Sequence, residues 1–142
     1  MKIVDMKLAK EVRKLTSKSK LKEDPMNFLK LFELTKQLSV EDEDLKEALE
    51  IEKIVGQIII TDKDTSFWYS AGDGVFDYGE GEAKEPNYTM KATWEIVGKI
   101  LSMESDGQEE YLSGDLVIEG NLQDAINYGE ITRAFVEALQ KL

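Results

Sequence analysis

The chain has no cysteine and no histidine among its 142 residues. The first absence rules out disulfides and thiolate chemistry and fits a reducing compartment such as the cytoplasm. The second removes the side chain that ordinarily titrates near neutral pH, and with it Ser–His and Cys–His nucleophilic sites. Catalysis would fall to carboxylates, lysine, tyrosine or a borrowed cofactor, and no catalytic motif, metal-ligand set or cofactor loop is found. The expectation is a protein that is not an enzyme. The sequence also lacks an apolar run of about 20 residues, the length needed to span a bilayer. Charges interrupt the N-terminal MKIVDMKLAKEV, which has no signal-peptide centre, so a cytoplasmic location is expected.

Positive charge is scarce as well. The net charge is −11, which argues against nucleic acid as a partner. The imbalance is uneven. Residues 1–22 hold eight Lys and Arg against Asp5 and Glu11, while the remaining 120 residues hold ten against 27 acids. A basic arm (1–22) thus precedes an acidic body (23–142). One body of this size buries roughly two-thirds of the surface of its unfolded chain, enough for a core.

Residues 2–18 read as a basic amphipathic helix, with Val4, Leu8, Val12 and Leu15 on one face. Such a helix either docks on the body or lies transiently on an anionic membrane surface. Ser17–Lys20 reads as a connector. A second helix starts near Asp24 and Pro25, with Phe28, Leu31, Phe32 and Leu38 inward. Ser39 is expected to cap a third, with Leu45, Ala48 and Leu49 inward.

The pattern changes at Ile54. IVGQIII, SFWYS, Val75–Ala83 and Tyr88–Thr93 read as four strands, separated by TDKD, Ala71–Gly74 and Lys84–Asn87. Short connections suggest an antiparallel meander. Trp94–Met103 returns to helical spacing, Ser105–Glu110 reads as a polar loop, and Leu122–Leu142 is helical, with Gly129 a candidate break. Between them, Gly114-x-Leu116-x-Ile118-x-Gly120-Asn121 reads as a strand ending in a tight turn, with Asn121 as the N-cap of the last helix. The class is α+β, with helices on one face of the sheet.

Weaker signals have bland readings. Asp62-x-Asp64-x-Ser66 begins like a calcium loop, but Phe67 occupies the place of the turn glycine. Asp73, Asp77, Glu80 and Glu82 make a solvated acidic edge. Gly72-Asp73-Gly74 lacks the third glycine of a nucleotide loop. Asn87-Tyr88-Thr89 is a chance glycosylation match. Trp68 and Trp94 read as core more than as ligand stackers.

The order of Gly56–Ile60, the hairpin turning at Asp73-Gly74, Pro86-Asn87, a helix, a polar loop and Gly114–Asn121 resembles the sterol-carrier-protein type 2 family over residues 26–142. That resemblance implies a five-stranded mixed, mostly antiparallel sheet under helices, with an apolar tunnel between. It implies non-enzymatic binding and transfer of a fatty acid, acyl chain, sterol or isoprenoid. Residues expected to line the tunnel are Phe76, Met90, Ile96, Val97, Ile100, Leu101, Phe135, Val136 and Leu139, with the C-terminal helix as lid. The alternative is a structural or protein-interaction module with the same fold and a filled core.

Overall fold

The computed structural model describes residues 4–17, 24, 26–101 and 107–141. Expectations that fall outside them are Pro25 as a helix opener, the connector at 18–20, the start of the polar loop at Ser105, and the outermost residues expected for the first, fourth and last helices (2, 3, 18, 102, 103 and 142).

Helix α1 (Met6–Ser17) lies on α2 (Asn27–Glu41). Val4, Ala9 and Val12 are buried there and Leu8 is half-buried. A polar clasp closes the contact. The Val4 and Asp5 amides donate to the side chains of Glu41 (3.1 Å) and Gln37 (2.8 Å), and Lys30 pairs with Glu11 at 2.6 Å. Helix α2 is the central helix, burying Phe28, Leu31, Phe32, Leu34 and Leu38. It runs two residues past Ser39, whose hydroxyl donates to the Lys36 carbonyl (2.6 Å) instead of capping the next helix. The cap of α3 (Glu43–Ala48) is Asp42, whose carboxylate accepts from the Leu45 amide at 2.9 Å.

Strands β1 (Ile54–Ile60), β2 (Thr65–Gly72) and β3 (Val75–Glu80) form an antiparallel run. The β2–β3 turn has positive φ at both Asp73 and Gly74, as a tight hairpin of this hand requires. The expected meander stops there. Strand β4 (Tyr88–Ala92) crosses back to pair parallel with β1, and β5 (Val117–Gly120) pairs antiparallel with β4. The sheet order is β3-β2-β1-β4-β5, mixed and not closed.

Residues 81–87 cross the face of the sheet away from the helices. Gln57, on that face of β1, holds them. Its amide donates to the carbonyls of Phe67 (2.9 Å) and Gly81 (2.8 Å), and its oxygen accepts from the Ala83 amide (2.6 Å). Asn87 then exchanges two hydrogen bonds with Val55, both at 2.7 Å, and accepts from the Asn121 amide at 3.0 Å.

After α4 (Trp94–Leu101) comes α5 (Gly107–Ser113) where a polar loop was expected. Asp62 does not open a calcium loop; its carboxylate accepts from the Trp94 amide at the start of α4 (2.8 Å). Helix α6 (Leu122–Gln140) is capped by Asn121 as expected and continues unbroken through Gly129.

Candidate functional site

The helix-facing side of the sheet is set by strand alternation. Gly56, Ile58 and Ile60 of β1 share it with Phe67, Tyr69 and Ala71 of β2, with Phe76 and Tyr78 of β3, with Tyr88, Met90 and Ala92 of β4, and with Ile118 of β5. At the β3 end this layer is filled with rings. Phe76 lies parallel to Tyr69 (centroids 6.1 Å, 7°) and 5.7 Å from Phe32, while Phe28 touches Phe67 at 5.4 Å and Trp94 at 5.8 Å. Such pairs add to what area burial contributes. The Tyr78 hydroxyl donates to Glu33 at 2.6 Å, and burial together with that bond pushes its pKa up.

The middle of the layer is built on Gly56. It is the register partner of both Tyr69 and Tyr88. A Cβ there would stand 2.3 Å from the Tyr69 ring, so only glycine lets that ring lie across β1. The two tyrosine hydroxyls meet over the bare backbone in a hydrogen bond. Tyr128 of α6 stacks on Tyr69 with centroids 4.1 Å apart. Burial pushes the pKa of all three hydroxyls well above the ordinary value, so all stay protonated at any physiological pH.

At the β4–β5 end Met90 and Ile118 pack against the core but are only half-buried, as are Ile96 and Ile100 of α4 and Val136 of α6. The two halves of α6 differ. Residues 122–130 contain no buried side chain, whereas Ile131, Phe135, Ala138 and Leu139 are all buried. The C-terminal half lies on α3, and Lys141 pairs with Asp42 (3.2 Å) and Asp44 (3.0 Å). The half of α6 with less holding it down is therefore the first half, not the chain end.

The nine residues singled out from the sequence fall in three places. Phe76 belongs to the filled β3 end, three strands from Met90, roughly 14 Å at ordinary strand spacing. Met90 lies on β4, and Ile96, Val97 and Ile100 lie on α4, with Val97 fully buried. Leu101 ends α4, and its side chain is outside the described residues. Phe135, Val136 and Leu139 lie in the half of α6 that packs on α3. The sequence reading missed Tyr69, Tyr88, Tyr128 and Ile118. Gly56 in the middle of a β-branched strand was the signal for the first two, since a strand glycine marks close approach of another group.

The opposite face carries a hollow of about 210 Å³ beside the crossing segment, lined by Gln57, Ile59, Glu82, Pro86, Lys91 and Glu119 among others. Lys91 and Glu119 pair there at 3.1 Å. Its charged, open wall does not suit an alkyl chain. Among the described residues no helix is long and apolar enough to cross a membrane.

Residues 32–133 match the sequence profile of the SCP-2 sterol transfer family. No curated protein sequence matches the chain. Among solved structures, UbiJ-SCP2, a ubiquinone synthesis protein, superposes with TM-score 0.61 at 16% identity, covering 80% of this chain and 94% of that one. Sterol carrier protein 2 from Yarrowia lipolytica, in its apo form, gives 0.56 at 14% identity, covering 72% and 87%. The sec-alkylsulfatase Pisa1 from Pseudomonas sp. gives 0.59 at 14% identity over 78% of this chain, which spans only 16% of the sulfatase. At these identities the likeness is one of fold.

Proposed function

The chain belongs to the SCP-2 sterol transfer family, and from that premise we propose that it binds and transfers a lipid, without chemistry, between the first half of α6, α4 and the β4–β5 end of the sheet. Family and fold support lipid binding in general. The observation that supports the location is that Met90 and Ile118 of the sheet, and Ile96 and Ile100 of α4, stay half-buried, while α6, which contacts β4 and β5, buries no side chain completely in its first half. Each buried CH₂ of a ligand contributes about 0.8 kcal/mol, so a chain of about ten carbons suffices for micromolar binding. The cargo is an acyl, sterol or isoprenoid lipid, and the setting is the cytoplasm, which the cysteine-free composition fits.

Of the sequence-derived lining, this reading keeps Met90, Ile96, Val97 and Ile100. It leaves Phe76 with the filled β3 end, and Phe135, Val136 and Leu139 with the half of α6 that lies on α3. The lipid-binding unit is residues 23–142, and residues 1–22 are an arm whose helix α1 lies on α2. Contact of residues 2–18 with an anionic membrane requires α1 to leave α2, because its apolar face is turned inward. The rings around Phe76 favour the alternative of a filled core at that end alone.

The test is binding of the hydrocarbon fluorophore diphenylhexatriene to the wild type and to Ile118→Trp. Wild type is expected to bind. The bulkier residue is expected to weaken binding at least ten-fold while leaving the urea midpoint nearly unchanged. Absence of binding by wild type contradicts the proposal.

A further inference from the structure

Two hydroxyl groups bring two protons, and the bond between Tyr69 and Tyr88 uses one of them. Among the described residues no other group hydrogen-bonds either oxygen. The pair therefore holds one proton with no acceptor, inside an apolar layer where leaving a donor unmatched is unfavourable. Above it stands Tyr128, half-buried and on the half of α6 least held down. Lifting that half takes the Tyr128 ring off Tyr69 and opens a way to the pair.

Resting on the lipid-binding reading above, we propose that the Tyr69–Tyr88 hydroxyl pair anchors a lipid carrying a neutral hydrogen-bond-accepting oxygen, an ester or ketone carbonyl, whose chain lies along Met90 and Ile118. The pair donates its second proton to that oxygen. An ionised carboxylate is a poorer partner, because burying a charge without a counter-ion is unfavourable. Asp124, on the same half of α6, adds its negative charge to the field at both hydroxyls.

The experiment is displacement of diphenylhexatriene by dodecane, methyl undecanoate and dodecanoate. Wild type is expected to bind the ester about five- to ten-fold more tightly than the alkane, the worth of one net hydrogen bond, and more tightly than the carboxylate. Tyr69→Phe and Tyr88→Phe singly are expected to keep the preference, since the remaining hydroxyl still has a proton to donate. The double variant is expected to bind ester and alkane equally. Replacing both partners by apolar groups of the same shape is nearly neutral for folding, and circular dichroism checks this. Equal affinity for ester and alkane in wild type overturns the inference without any variant, as does a preference that survives in the double variant. Binding of none of the three by wild type overturns the lipid-binding reading, and this inference with it.

Discussion

Single residues set the two faces of the sheet apart. Gln57 is 3% exposed and satisfies three backbone groups from two other segments. Gln57→Leu leaves those groups unmatched and is expected to destabilise by about 2–4 kcal/mol, measured by urea unfolding. Loss below about 0.5 kcal/mol would mean that the crossing segment is held by other contacts. On the helix side, Gly56→Ala drives a methyl into the Tyr69 ring. The expected loss is about 1–3 kcal/mol, with a change in near-UV circular dichroism as the tyrosines shift. Gly56 and Asn87 were visible in the sequence, but their partners were not. Tyr69 meets Gly56 through the register of the β1–β2 hairpin, while Tyr88 and Val55 are brought to Gly56 and Asn87 by the return of β4 to β1, and residue spacing carries no trace of a contact made across a crossover. The Asn121 cap, in contrast, was legible because capping is decided within one turn.

Elements were legible where the apolar period was strong. Strands β1 and β2 and helices α2, α4 and α6 sit close to where alternation and helical spacing put them. Helix α5 was missed because it buries none of its seven residues and so has no apolar period to read. The fourth strand was found, but its partner was not. Seven residues separate β3 from β4, longer than a hairpin loop, and that length was the one hint of a crossing. At the start of α3, burial alone would raise the Asp42 pKa, but the Leu45 amide and Lys141 hold the carboxyl below the usual value of 3.8. A depressed folded pKa contributes stability that is present above about pH 4 and lost as pH falls through the folded value. Asp42→Ala is therefore expected to cost about 1 kcal/mol at pH 7 and progressively less towards pH 3, read from urea midpoints. A pH-independent difference would assign the loss to packing. Within α6, Gly129 has nothing within 4 Å of where a Cβ would stand. Gly129→Ala is expected to stabilise by about 0.5–1 kcal/mol, and to slow lipid exchange if opening of the first half gates entry. Unchanged exchange rates would place the gate elsewhere.

For the whole molecule, the division into a basic arm and an acidic body follows from charge alone, and α1 docks with its apolar face inward. Deleting residues 1–20 uncovers the α2 surface beneath Val4, Ala9 and Val12, and is expected to lower stability by about 2–4 kcal/mol. Co-sedimentation with anionic vesicles is expected to stay unchanged; a loss would show that the arm meets membrane. The family was legible because weak signals came in a fixed order along most of the chain. The ligand space was only partly so, because lining and packing residues share one apolar alphabet: Ile100 and Phe135 look alike in sequence, yet one is half-buried and the other belongs to the frame. The measurement that decides between a carrier and a filled module is native mass spectrometry of the purified protein, with extraction and identification of any lipid released. The expected result is a lipid bound at one per chain, or uptake of one when methyl undecanoate or an isoprenoid ketone is added. A single apo mass that no added lipid shifts would contradict lipid carriage and leave the interaction module in its place.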